Sequence, residues 1–366
     1  MSTKKVPFSN LAWQFSQIKQ IEDEVINVLN SGNYVSGVNV NKFEVDFAKF
    51  SNQTFAIGVN SGTSALHACL IALGVKRGDE VIVPSHTFIA SINAIILAGA
   101  VPVLVDVNKH GLVEYDNIEK GLSDLTKAIM PVHLYGSCVD SKSMYSILKL
   151  NKKIVEDASQ AHGAKFENNQ DPGFYSDTVA YSLYPGKNLG AAGEAGVVTT
   201  NSEQIASDLK LIRNWGAPKK YLHETFGLNL RMDEIQAVIL NAKLTHLDDW
   251  NAQRIDIAKR YIEGLEGVEI VNKLSGKPVF HQFVIKVNRR DLLAQHLNEK
   301  GIETMVHYPI ANHLQNSLRG KVRIAEKLNE TESLTSNILS LPIYPGMTSE
   351  QVEHVIENVN VFQARN

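Results

Sequence analysis

The chain has 366 residues, 44% of them hydrophobic, with a net charge of −3 and a pI near 6.5. That size supports a large core shared between two folded units. The near-neutral balance supplies no basic face, which argues against nucleic acid or an anionic membrane as a partner.

In chain order, the opening MSTKKVPFSNLAWQ has no apolar run of signal-peptide length. Phe55–Val59 predicts a strand, and Thr63–Leu73 a helix opened by SGTS. Glu80–Pro84 predicts a strand and Phe88–Ala98 a helix. Val101–Val107, Ala128–His133, Lys153–Asp157, Thr178–Leu183 and Gly196–Thr200 are further strands. Val/Ile runs alternating with helices predict a mainly parallel sheet covered on both faces. Ser202–Arg213 reads as helical, and Met232–Leu265 as a long helical region leaving the large unit. Val279–Val287 predicts a strand, Asp291–Lys300 a helix, Glu303–Tyr308 a strand, and Val322–Leu339 and Ser349–Phe362 helices. The expected division is a large α/β unit, 1–245, and a smaller α+β unit, 246–366, with residues 1–20 free to pack elsewhere. The apolar stretch Ala94–Val105 is broken by Gly and Pro and is too short to span a bilayer. Cys69 and Cys138 are far apart and form no C-x-x-C, so neither a disulfide framework nor a zinc site is expected. A reducing, cytoplasmic setting is the default.

Ligands of such sheets bind beyond the carboxyl ends of the strands. His133, Asp157 and Lys187 all fall at or just after predicted strand ends. YSLYPGKN places Lys187 in a Pro-Gly turn behind an apolar lead-in, about one βαβ unit after KIVED. That is the layout of a lysine Schiff-base enzyme: Lys187 holds an aldehyde cofactor, pyridoxal phosphate, and buried Asp157 keeps its ring nitrogen protonated. The plain alternatives are a surface-loop lysine, and a helix cap or structural ion pair at Asp157. Gln160 is placed to reach the cofactor's phenolic oxygen, with His162 beside it or simply in the core. In NSGTSAL, Gly62 and Thr63 open a helix whose free amides suit a phosphate, although an ordinary N-cap reads the same way. Ser182 is a further candidate for a phosphate contact. Phe88, at a strand exit, is placed to stack on a planar ring or to head the next helix. His307 and Tyr308, in VHYP, either close over a substrate or pack at a turn. GAAGEAG at Gly190–Gly196 is not G-x-G-x-x-G, and GKN lacks the first glycine and the hydroxyl of a P-loop. The dinucleotide fingerprint therefore fails, and an ATPase reading is weak.

Together, NSGTSAL, GDEVIVPSHTFIASINAIILAGAVPVLVDV, EDASQAHGA, YSLYPGKNLGAAGEAGVV, LIRNWGA, GLNLRMDEIQAVIL and VHYP resemble the DegT/DnrJ/EryC1/StrS sugar aminotransferases. These are fold type I, aspartate aminotransferase-like enzymes, and the resemblance spans nearly the whole chain. It implies that Lys187 binds the cofactor and then moves the proton. It assigns Asp157 to the pyridinium nitrogen, Gln160 to the phenolic oxygen and Phe88 to the ring face. Gly62, Thr63 and Ser182 fall to the phosphate. Asn229 would reach that phosphate from a neighbouring subunit, which implies a homodimer. Tyr184, His307, Tyr308 and Arg231 are the expected substrate contacts. The implied substrates are a nucleotide-linked keto sugar, nearest to a dTDP-3-keto-6-deoxyhexose, and L-glutamate, in ping-pong order. His86, Ser176 and the Ile-Ala-Asn of HYPIANHLQ depart from many relatives, which leaves the sugar open. Rival readings are a sugar dehydratase or other pyridoxal-phosphate chemistry, and a non-catalytic nucleotide-sugar-binding protein. The retained Lys187 favours transamination.

Overall fold

In the computed structural model, which describes residues 5–19 and 21–365, the strand residues bury alternately on two sides. Val81 and Val83 enter one apolar layer and Ile82 the opposite one. Ala128, Val155, Ala180 and Val198 share the first layer, while Ile129, Ile154, Val179 and Val197 share the second. A sheet buried on both faces needs helices on both faces, which is why these strands are continuously apolar. Helices Gly62–Ala72, Ile89–Leu97 and Glu203–Ile212 supply one cover. Val38–Phe50, Ser141–Leu148 and Glu234–Leu244 supply the other.

The strands are β1 (Phe55–Val59), β2 (Glu80–Pro84), β3 (Val101–Val105), β4 (Thr126–Ile129), β5 (Lys153–Asp157), β6 (Thr178–Ser182), β7 (Gly196–Thr200), β8 (Glu269–Ile270), β9 (Phe283–Lys286), β10 (Arg323–Ile324) and β11 (Ile338–Leu341). Eight form one sheet in the order β1-β7-β6-β5-β4-β2-β3-β10. Only the β1–β7 and β7–β6 pairs are antiparallel. The parallel strands therefore present their carboxyl ends along one edge, with Asp157 ending β5 and Ser182 ending β6. A smaller antiparallel sheet, β11-β9-β8, packs with helices Leu247–Gly264, Arg290–Glu299 and Ser349–Gln363 in a separate core that also contains Val6. Among the described residues, no helix is long and apolar enough to cross a membrane.

Five expectations change. The strand expected to reach His133 stops at Ile129, because Pro131 has no amide to continue the ladder. The strand expected from Val279 begins at Phe283, after the chain bends at Phe280 (φ 43°). Glu303–Tyr308 makes only a single bridge, Met305 with Ser340, and no strand. Beyond it the chain leaves the sheet, and the His307 carbonyl accepts from the Tyr135 hydroxyl. Val322–Leu339 is not one helix. Arg323 and Ile324 join the large sheet beside Val103 and Leu104, with the Arg323 guanidinium clamping both Glu80 oxygens at 2.8 Å. Only Asn329–Asn337 is helical, with its first amides received by Asp106. The Met232–Leu265 region is likewise two helices, Glu234–Leu244 and Leu247–Gly264, parted at Thr245 and His246.

Candidate active site

A cavity of about 690 Å³ opens at the carboxyl edge of the parallel strands. Its wall brings together Gly62, Thr63, Phe88, Asp157, Gln160, Ser182, Tyr184, Lys187, His307 and Tyr308. Asn229 and Arg231 lie outside it. Asn229 is exposed and accepts from Arg231 Nε at 3.1 Å, next to the end of β1. His162 also stays out of the lining. Its ring is buried against Tyr181 and neither ring nitrogen has a hydrogen-bond partner.

The Lys187 turn is built from its neighbours. The Lys187 amide donates to the Tyr184 carbonyl at 2.9 Å, and Ala191 returns to Leu183 at 2.8 Å. Gly190 lies so close to Pro185 that a Cβ would stand 2.4 Å from its carbonyl oxygen. Asn188, fully buried, pins the turn: its Nδ2 donates to Asn251 Oδ1 and to the Val279 carbonyl, and its Oδ1 meets His281 Nδ1. Half-buried Lys187 has its pKa lowered to about 8 by desolvation, against the opposing charge of Asp157. Three imidazoles nearby, His162, His281 and His307, are held neutral at pH 7. Burial, reinforced by the Lys187 charge, brings His162 to about 3 and His307 to about 4, and places His281 well below its usual value. Desolvation thus brings the Lys187 amine within reach of its neutral form near neutral pH.

Asp157, 4% exposed, accepts from the Ser91 hydroxyl at 2.7 Å and the Ser159 amide at 3.1 Å. Gln160 accepts from the Tyr135 amide and donates to the Tyr308 hydroxyl at 3.1 Å. Phe88 caps helix Ile89–Leu97, is half exposed, and stands 5.6 Å from the Tyr308 ring. At the opposite end, Ser61 caps the helix that Gly62 begins. The first amides of a helix have no intrahelical partner and carry its positive pole. A Cβ on Gly62 would fall 2.5 Å from Ser182 Cβ, so glycine is what lets the helix end sit against β6.

Several lining residues escaped the sequence reading. Ser91 and Thr87 lie four apart in TFIAS, Ser91 inside helix Ile89–Leu97 and Thr87 just before its cap, Phe88. Phe8, Ser9 and Leu11 come from the N-terminal segment, and His281 and Gln282 from the loop before β9. No local signal marks these five.

The donor set fits pyridoxal phosphate. A helix N-terminus with a glycine-dependent close approach suits the phosphate, a buried carboxylate suits the pyridinium, and a lysine of lowered pKa suits the aldehyde. A parallel-sheet α/β fold carrying this lysine site defines a pyridoxal-phosphate enzyme of fold type I. The chain belongs to the DegT/DnrJ/EryC1/StrS aminotransferase family, whose model matches residues 16–360. It is 40% identical over 370 residues to the dTDP-3-amino-3,4,6-trideoxy-alpha-D-glucose transaminase of Streptomyces venezuelae, covering 99% of this chain and 97% of that protein. It is 42% identical over 350 residues to the dTDP-3-amino-3,6-dideoxy-alpha-D-galactopyranose transaminase of Aneurinibacillus thermoaerophilus, covering 94% and 95%. The crystal structure of S. venezuelae DesV with a ketimine intermediate superposes with a TM-score of 0.95 over the full length of both chains, at 39% identity. The Bacillus subtilis NtdA structure with bound cofactor PMP gives 0.89 at 31% identity, covering 100% of this chain and 86% of that one. The protein is thus an enzyme, an aminotransferase, and its cofactor is pyridoxal phosphate.

Proposed function

We propose that this enzyme aminates C3 of a dTDP-linked 3-keto-6-deoxyhexose, with L-glutamate as donor in a ping-pong cycle. The observation that carries the reading is the pairing of Lys187 with Asp157 in one cavity edged by Tyr184, His307 and Tyr308. The S. venezuelae and A. thermoaerophilus relatives, whose names both specify a 3-amino dTDP sugar, support the substrate class. The cofactor, when bound, supplies an electron-withdrawing ring and carries the amino group from one substrate to the other. Lys187, as the neutral amine, would take the α-proton of glutamate and pass it, on its own side, to the carbon of the cofactor that holds the nitrogen. In the second half it delivers a proton to the sugar carbon that receives nitrogen. Asp157 would keep the ring nitrogen protonated, Gln160 would bond the phenolic oxygen, Phe88 would cover the ring, and Gly62, Thr63 and Ser182 would hold the phosphate. Tyr184, His307 and Tyr308 bind the sugar nucleotide; Arg231, expected with them, lies outside this cavity against Asn229 and is not assigned to it.

The enzyme works as a homodimer in which Asn229 completes the partner's phosphate site. The exposed Trp215, Tyr221 and Phe226 on the segment leading to Asn229 suit a face covered by a second copy. Residues 1–245 are assigned to the cofactor unit and 246–366 to the smaller one, with two exchanges: Val6 packs in the smaller core, and Arg323 and Ile324 join the large sheet. Two buried free cysteines suit a reducing cytoplasm. The test is incubation with 15N-glutamate and the dTDP-3-keto sugar. A mass gain at the sugar with release of 2-oxoglutarate is expected. Nitrogen transfer to a 4-keto or UDP-linked sugar alone would reject the substrate. Light scattering at micromolar concentration tests the dimer.

A further inference from the structure

The acid that faces the cofactor ring is itself held by a chain of hydroxyls. Ser91 is 1% exposed and is the third residue of helix Ile89–Leu97. An ionised carboxylate only accepts hydrogen bonds, so the single Ser91 proton goes to Asp157 Oδ2 across 2.7 Å. The 2.9 Å contact between Thr87 Oγ1 and Ser91 Oγ is then made with Thr87 as donor. Thr87 is fixed in turn, because Asn312 Nδ2 donates to the Thr87 and Ser85 carbonyls at 2.7 and 2.9 Å. The terminal torsion of an aspartate is broad and does not set the carboxylate plane on its own. Here Ser91 anchors one oxygen and the Ser159 amide the other, at 3.1 Å. With one lone pair of each oxygen engaged, the direction of the remainder is set.

We propose that Ser91, oriented by Thr87, is a positioning residue that fixes the rotation of Asp157 so that its free lone pairs meet the ring nitrogen of pyridoxal phosphate. This rests on the assignment of Asp157 to that nitrogen. The hydrogen bonds of the pair run from Thr87 to Ser91 and from Ser91 to the carboxylate, which is the route by which it acts. Buried polar partners of a working group tune its direction in this manner, and their loss is felt in binding before it is felt in folding.

The test compares pyridoxal phosphate dissociation constants and the visible band of the bound cofactor for apoproteins carrying Ser91→Ala, Thr87→Val, Thr87→Ser and Asp157→Asn, with apoprotein melting as a control. Ser91→Ala is expected to weaken binding about tenfold, the value of one hydrogen bond to a charged group, and to move the band towards that of Asp157→Asn. Thr87→Val, isosteric but without the hydroxyl, shows a smaller loss in the same direction, and Thr87→Ser stays at the parental value. Parental affinity and band in Ser91→Ala would overturn the proposal, as would identical behaviour of Thr87→Val and Thr87→Ser. If Ser91→Ala does not fold, the Thr87 pair decides alone. Parental behaviour of Asp157→Asn would remove the assignment of Asp157 itself, a separate failure from one seen only at Ser91.

Discussion

Lys187 must attack as a free amine, and its surroundings set how often it is one. With a pKa of about 8, roughly one molecule in eleven carries the neutral amine at pH 7, against about one in 2,500 for a lysine at the ordinary 10.4. Desolvation therefore raises the reactive fraction roughly 200-fold. The sign follows from which form is active: raising the pH deprotonates the amine, so capture of pyridoxal phosphate by apoprotein speeds up through a midpoint near 8 and levels off above it. Asp157 acts in the opposite direction, holding the pKa up by its charge. Asp157→Asn therefore moves the midpoint down. The assay is stopped-flow absorbance of capture at pH 6.5 to 10.5, with a simple alkylamine as reference to remove the cofactor's own ionisations. A midpoint above about 9.5 would refute the desolvation argument. An upward move in Asp157→Asn would refute the pairing of the two groups.

Asn188→Ala takes their buried partner from the Val279 carbonyl, Asn251 Oδ1 and His281 Nδ1. It should cost about 2–4 kcal/mol of stability and weaken cofactor binding, measured by denaturant unfolding and absorbance titration. Gly62→Ala drives a Cβ to 2.5 Å from Ser182 and forces the helix end and β6 apart. Cofactor affinity should fall more than about tenfold at an overpacking cost of about 1–3 kcal/mol; unchanged affinity would reject the cradle. Arg323→Ala removes the clamp on Glu80, whose pKa is lowered chiefly by the Arg323 hydrogen bond. Since the folded carboxyl is depressed, the stability difference from the parent, about 1 kcal/mol after solvent screening, is present above the unfolded value near pH 4.5. It should fade as the pH falls below that, with cofactor binding unaffected.

The parallel core was legible because the strands are buried on both faces. Continuous runs such as EVIVP and KIVED need no knowledge of their neighbours to be recognised, and β1, β2, β5 and β7 fall at the expected residues. The site was legible for the same reason, since strand-end residues of a parallel sheet converge on one edge. Asp157, Ser182 and the Lys187 turn meet there without any long-range information being required. The second half resisted because its elements are chosen by distant partners. The 322–339 segment has ordinary helical composition, yet Glu80 and Val103 draw its start into the large sheet and Asp106 delays its helix to Asn329. The same holds for the support of the site. That Ser91 bonds Asp157, that Asn188 reaches Val279, and that Phe8 and His281 line the cavity are consequences of contacts between residues far apart in the chain. Local pattern determined the chemistry this protein carries. The tertiary structure alone decided how the residues carrying it are aimed, because hydrogen-bond direction depends on which distant backbone and side chains arrive beside them.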